Sequence, residues 1–218
     1  MEHVPARGRR GILFVMTGAS GVGKGSLRAA AVDALRSVTY SVSATTRARR
    51  PAETDGVDYH FVDRAAFERM IAQGALLEYA NYVGDLYGTP AAPVDGALAA
   101  GRDVLLEIEL DGARQVKVAR PEAVMVFIAP PSLAELERRL RGRGTDDEVK
   151  IQRRLARARH EIRALREFDY VVVNDRLDEA AETLRVILAA ERARAWRLTD
   201  DEIDGFLATT APEAPRLW

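Results

Sequence analysis

The stretch from Gly18 to Lys24, GASGVGK, has the spacing GxxxxGK. Its glycines let the backbone take turns closed to residues with side chains, so that successive N–H groups converge on an anion. A lysine ending such a loop reaches terminal phosphates, and the helix that follows adds the partial positive charge of its N-terminus. Gly18, Ala19, Ser20, Gly21, Val22, Gly23, Lys24, Gly25 and Ser26 are therefore read as a cradle for nucleotide phosphates. A glycine-rich turn with no ligand would leave Lys24 without a reason. Where the pattern asks for a hydroxyl residue after the lysine this chain has Gly25, with Ser26 one place later. Either Ser26 meets Mg²⁺ or the ion keeps more of its waters, as Mg²⁺ readily does.

Other charged groups stand in suggestive places. Arg47, Arg49 and Arg50 form a basic loop leading to Tyr59; they read either as a second anion site, since a guanidinium fork grips phosphate oxygens in pairs, or as a solvated loop. Glu78 lies among apolar residues ahead of Tyr82, Tyr87 and Thr89, where a lone carboxylate is costly unless partnered. It is a ligand candidate or an exposed strand position. Glu107 and Glu109 end an apolar strand on one face, and ligands of open α/β sheets bind beyond the carboxyl ends of strands. Ten arginines fall between Arg138 and Arg166, around a glycine-flanked tip at Gly142 and Gly144. They read as a solvated helical hairpin, with Asp147, Glu148 and Glu161 in surface pairs, or as a lid whose arginines close over phosphates.

The elements that must hold these groups follow from apolar periodicity. Strands are expected at 12–16, 39–43, 103–110, 123–131 and 168–175, and helices after Lys24, after a cap at Asp63 as far as Gly74, over 111–119, over 146–166 and over 178–196. Alternation of strand and helix points to an α/β chain with a parallel sheet. Residues 1–10 and 197–218 are expected to be flexible termini, the latter with one short helix.

Composition sets outer bounds. The 218 residues are 47% hydrophobic and 30% charged with a net charge of −1, so no global field argues for nucleic acid or an anionic membrane. There is no cysteine, which removes disulfides and thiolate chemistry and suits a reducing cytoplasm. No apolar run is long enough to span a bilayer. The histidines, His3, His60 and His160, have no ligand spacing, so no protein-built metal site is expected.

Taken together, GASGVGKG at 18–25, SVSATTRARRP at 41–51, GVDYHFV at 56–62, LLEYANYVGDLYGT at 76–89, LEIELDGA at 106–113, FIAPPS at 127–132, RLRGRGT at 139–145 and VVVND at 171–175 resemble the guanylate kinases. The resemblance implies a parallel P-loop sheet core flanked by helices over 11–43, 99–138 and 157–196, an inserted mixed α+β domain for GMP over 44–98, and a small helical lid over 139–156. It implies cytoplasmic ATP:GMP phosphotransfer, with Mg²⁺ bound alongside ATP mainly through phosphates and water. It assigns Arg47, Arg50, Tyr59 and Tyr87 to the GMP phosphate, and Ser43, Glu78, Thr89 and Glu109 to guanine. Lys24, Arg47, Arg139, Arg143 and Arg154 would share the charge of the transferred group, and Asn174 would lie near the adenine of ATP. Glu109 stands where the family more often has Asp, and Asp111 where it commonly has Gln. Other readings are a non-catalytic binding domain of the same fold and a related kinase for another phosphorylated acceptor.

Overall fold

The computed structural model describes residues 9–32, 38–82, 84–142, 144 and 146–208. In chain order the elements are β1 (Leu13–Gly18), α1 (Lys24–Val32), β2 (Val38–Tyr40), β3 (Ala44–Thr45), β4 (His60–Phe61), α2 (Arg64–Ala72), β5 (Leu76–Tyr82), β6 (Asp85–Pro90) and α3 (Ala91–Ala99). They continue with β7 (Asp103–Glu107), α4 (Leu110–Ala119), β8 (Val124–Ala129), α5 (Leu133–Gly142), α6 (Glu148–Arg163), β9 (Tyr170–Val173), α7 (Leu177–Arg192) and α8 (Asp200–Leu207).

Strands β2, β7, β1, β8 and β9 lie in that order in one wholly parallel sheet. Its strands β1 and β8 are buried along their whole length and rich in apolar residues, because both faces are covered. Alternate residues of β1 feed two cores: Phe14 and Met16 join α1, α5, α6 and α7 on one side, through Leu27, Leu136, Leu140, Leu155 and Leu184. Leu13 and Val15 join α3 and α4 on the other, through Val94, Leu98, Ala113 and Val116. This period of two places the phosphate loop, which continues β1, at the carboxyl edge of a sheet held from both sides.

The second sheet has the order β4-β3-β6-β5 and mixed pairing: β3 runs parallel to β4 and antiparallel to β6, which is antiparallel to β5. Its core is small, built on Ala44, Phe67 and Leu86, with Val62, Met70, Ile71 and Leu76 packed against it. Helix α2 is capped by the Asp63 side chain, which accepts from the Ala66 N–H at 2.6 Å. The expected α/β class, a helix-flanked parallel core with a mixed sheet and further helices, is the observed one.

Several expected boundaries are corrected. The strand read over 39–43 ends at Tyr40, and the chain crosses to the other sheet before Ala44. The strand read over 103–110 ends at Glu107: buried Leu110 opens α4, with Glu109 as its N-cap, so Glu107 and Glu109 do not share a strand face. Helix α7 ends at Arg192, and α8 occupies part of the tail, its N-terminus closed by a capping box between Thr199 and Glu202. Residues 1–8 and 209–218 lie outside the described residues.

Candidate active site

The phosphate loop leaves β1 at Gly18, where a Cβ would stand 2.3 Å from the Ile128 carbonyl oxygen of the neighbouring strand. Gly21 and Gly23 both have φ +94°, a region that side-chained residues avoid. The loop closes on itself through the Val22 N–H to the Ala19 carbonyl at 3.0 Å, and Lys24 opens α1. The Lys24 Nζ donates to the Gly18 carbonyl at 2.7 Å, which folds the side chain back across the loop. Ala19, Ser20, Gly21, Gly23, Lys24, Gly25 and Ser26 line an open pocket.

Parallel pairing brings a neighbouring strand's carboxyl end to the same edge. Glu107 is in register with Met16, and Glu107 and Glu109 both line the pocket. The Glu107 carboxylate lies 3.3 Å from the Arg28 Nε, and burial raises its pKa against the pull of Arg28 and Lys24. Glu109 meets two cations: Arg157 at 2.7 Å and Lys24 at 3.7 Å.

Two further groups brace the loop from outside. Asn174 is buried at the end of β9 and its side-chain amide donates to the Val22 carbonyl at 2.8 Å. Glu161 of α6, expected in a surface pair, is only 2% exposed. Its carboxylate accepts from the Ser20 N–H at 3.2 Å and from the Arg157 Nε at 2.8 Å. A carboxylate so buried needs such partners, and here they belong to the loop itself and to the preceding turn of the same helix. Lys24, Glu109, Arg157, Glu161 and the Ser20 amide thus form one chain of contacts running from the loop to α6 and back.

The arginines of the tip are held away from the pocket lining. Arg139 spends its fork on Glu135 at 2.7 Å, the Asn174 carbonyl at 2.7 Å and the Asp175 carbonyl at 3.1 Å. Arg154 pairs with Asp146 at 3.0 Å. Arg143 lies outside the described residues.

A second cluster forms on the small sheet. Arg47 grips Glu53 with both guanidinium nitrogens, at 2.7 and 3.1 Å, and this pairing holds the Glu53 carboxyl below its usual range. The Arg50 N–H donates to the same carboxylate at 2.8 Å. The Arg47 guanidinium sits 5.5 Å from the centre of the Tyr59 ring, which meets Tyr87 edge-on at 6.0 Å. Ser43 stands just before β3, and its carbonyl accepts from the His60 N–H at 2.9 Å.

Glu78 is not at an exposed strand position. It is 6% exposed, opposite Thr89 in the β5–β6 register, and its Oε1 accepts from the Thr89 hydroxyl at 2.7 Å. Burial raises its pKa, partly offset by the Thr89 hydrogen bonds. The structure therefore brings together Arg47, Arg50, Tyr59 and Tyr87 in one group, Glu78 and Thr89 in another, and the loop with Lys24, Glu107 and Glu109 in a third. Sequence reading did not single out Glu53, Arg157, Gly112 or Gln115; each acquires meaning only from its partner in space. Glu161 had a signal in its i, i+4 spacing to Arg157, but that spacing alone cannot tell a buried pair from a surface one.

Comparison with known proteins agrees with this arrangement. A family model described as "Guanylate kinase" matches residues 10–191. A guanylate kinase of Thermus thermophilus is 59% identical over 192 residues, covering 88% of this chain and 86% of that protein. That of Lactococcus lactis is 51% identical over 191 residues, covering 88% of this chain and 93% of its own length. The crystal structure of guanylate kinase from Anaplasma phagocytophilum superposes with a TM-score of 0.70 at 31% identity, covering 94% of this chain and 98% of that one.

Proposed function

The chain belongs to the guanylate kinase family of nucleoside monophosphate kinases, and on that premise we propose that it transfers the γ-phosphoryl group of ATP to GMP or dGMP, giving ADP and the nucleoside diphosphate. ATP and GMP are its substrates, in the cytoplasm, and neither nucleic acid nor a membrane takes part. Among the described residues no helix is long and apolar enough to cross a membrane.

The observation that carries the acceptor assignment is the buried Glu78 carboxylate held by Thr89. Guanine presents N1–H and N2–H side by side, and one carboxylate accepts both; adenine presents an acceptor at N1, which the same carboxylate repels. A site built on such a group rejects the wrong base because buried polar atoms would be left unpaired. Ser43 and Thr89 flank this contact, while Arg47, Arg50, Tyr59 and Tyr87 take the GMP phosphate. Arg47 already grips one anion, Glu53, through both nitrogens, which is the geometry a phosphate requires. Glu109, facing Lys24 and Arg157, sits at the boundary between the acceptor and donor sites.

The donor phosphates rest on the loop amides from Gly18 to Gly25, with Lys24 and Ser26. Asn174 donates to the Val22 carbonyl at the end of the loop, a contact that supports assigning it to the adenine side. A phosphate monoester dianion is already a competent nucleophile, so no general base is required; catalysis comes from alignment and charge neutralisation. Lys24 and Arg47 hold the two phosphates, and Arg139, Arg143 and Arg154, on a lid over 139–156, share the charge of the group in flight. The core comprises 11–43, 99–138 and 157–196, and the acceptor unit 44–98; the separate hydrogen-bonding of the two sheets supports that division.

The donor set fits Mg²⁺ arriving with ATP. The Ser26 hydroxyl and the Glu107 carboxylate line the phosphate pocket, matching an ion that takes one or two protein oxygens and keeps its waters. Among the described residues no group of three His, Cys, Asp or Glu forms a cage for a resident ion. When bound with ATP, Mg²⁺ supplies neutralisation of phosphate charge. The test is diphosphate formation from ATP and Mg²⁺ with GMP, dGMP, AMP, CMP and UMP offered separately. Turnover of GMP and dGMP far above the others supports the reading; equal use of another acceptor, or none of any, overturns it.

A further inference from the structure

The Glu78 carboxylate is positioned from outside its own sheet. Helix α4 starts directly after the phosphate-side Glu107 and Glu109 and packs against β5, the edge strand that carries Glu78. Gln115 clamps that strand: its Oε1 accepts from the Tyr79 N–H at 3.1 Å and its Nε2 donates to the Tyr79 carbonyl at 3.0 Å. Three residues earlier on the same helix face stands Gly112, buried in the first turn. A Cβ there would lie 2.7 Å from the Glu78 Oε2, 3.3 Å from its Cδ and 3.4 Å from its Cγ.

The glycine is otherwise out of place. Glycine in a helix is about 1 kcal/mol worse than alanine, so helix formation does not explain it. Other helical glycines offer a contrast: a Cβ at Gly96, Gly142 or Gly205 would meet nothing within 4 Å, and one at Gly25 would reach only the Glu107 Oε1, at an ordinary 3.9 Å. We infer that Gly112 is a specificity-positioning residue: its missing side chain sets where the Glu78 carboxylate stands, and thereby tunes discrimination of guanine. This rests on Glu78 reading the base. The atoms that a methyl group would meet belong to the outer part of a flexible side chain, not to backbone, so the carboxylate would move while the helix stayed. Moving Oε2 also drags Oε1 away from its 2.7 Å bond with Thr89. The substitution should therefore cost recognition without costing the fold.

The test compares Gly112→Ala with Glu78→Gln for thermal midpoint, KM for GMP, KM for ATP and the GMP-over-AMP ratio of kcat/KM. Gly112→Ala is expected to stay folded, with a thermal midpoint near the parent's because the helix gain of alanine offsets the loss of the Thr89 bond, and to keep its KM for ATP. Its KM for GMP should rise about tenfold, with a matching fall in base preference, as expected when a contact to a charged group is displaced by a fraction of an ångström. A rise for Glu78→Gln with no change for Gly112→Ala would overturn the inference while leaving Glu78 as the guanine contact. No change for either would overturn both. Gly112→Ser is the second variant; should neither Gly112 substitution fold, the glycine serves packing and the inference fails.

Discussion

The two nucleotide-facing regions are built in opposite ways. The phosphate loop is one continuous stretch, set at the edge of a parallel sheet with a core on each face. The acceptor region gathers side chains from β5, β6 and the loops around β3 and β4, on a small mixed sheet whose buried core is Ala44, Phe67 and Leu86. The loop is therefore supported by the main core on both faces of its sheet. The acceptor site depends on long-range contacts and on bracing by α4. Under the proposed function, discrimination falls to the region with the smaller core.

The sharpest separation comes from Lys24→Ala. Removing the amine should lower kcat roughly 10³-fold, the scale on which a phosphate-charge contact acts in phosphoryl transfer. Thermal unfolding and calorimetric GMP binding should stay at parent values. Loss of GMP binding in the same variant would erase the distinction between the two regions.

Next comes Phe67→Ala. Phe67 is fully buried in the small core, where such truncations cost about 3–5 kcal/mol. GMP binding should fail and hydrogen exchange should rise across β3, β5 and β6, while a non-hydrolysable ATP analogue still binds. Simultaneous loss of both ligands would show a single cooperative site.

The pH dependence separates the regions more finely. Burial raises the Glu78 pKa above its ordinary value of 4.5. Guanine needs the ionised form, so KM for GMP should climb as pH falls through that raised value, beginning above 4.5 and before an exposed glutamate would respond. Stability runs the other way: the contribution of Glu78 is full below the ordinary value and is lost as pH rises through the raised one, because the charged form is disfavoured by folding. Glu78→Gln should remove this limb of the profile; its persistence would assign the titration elsewhere.

The smallest effect is expected at Arg157→Ala, which leaves Glu161 buried with the Ser20 N–H but without its cation. The variant should lose about 1–3 kcal/mol in denaturant unfolding. A modest rise in KM for ATP should accompany it, with KM for GMP unchanged. No loss of stability would mean that the α6 brace on the loop is idle.

This contrast also explains what could be read from the chain. The loop was legible because its chemistry is local: glycines, lysine, strand and helix are consecutive. Glu78 was legible as a conflict, a carboxylate among apolar residues that burial had to resolve. Glu161 was not, since its link to Ser20 spans 141 residues and its burial depends on how α6 packs. Gly112 and Gln115 were equally silent, because a glycine in a helix turn shows no purpose until the neighbouring strand is in place. The strand read through Leu110 failed for a related reason. Ile108 and Leu110 are both buried, and apolar alternation continues across the turn where β7 gives way to α4.

The central claim is that the carboxylate of Glu78 selects the acceptor base independently of the phosphate loop. Its most direct test is the ratio of kcat/KM for GMP to that for AMP, measured in the parent and in Glu78→Gln alongside the KM for ATP. In Glu78→Gln the ratio should fall about 100-fold while the KM for ATP holds, as expected when a site loses a charged hydrogen-bond partner. An unchanged ratio, or an equal loss in ATP use, would contradict it.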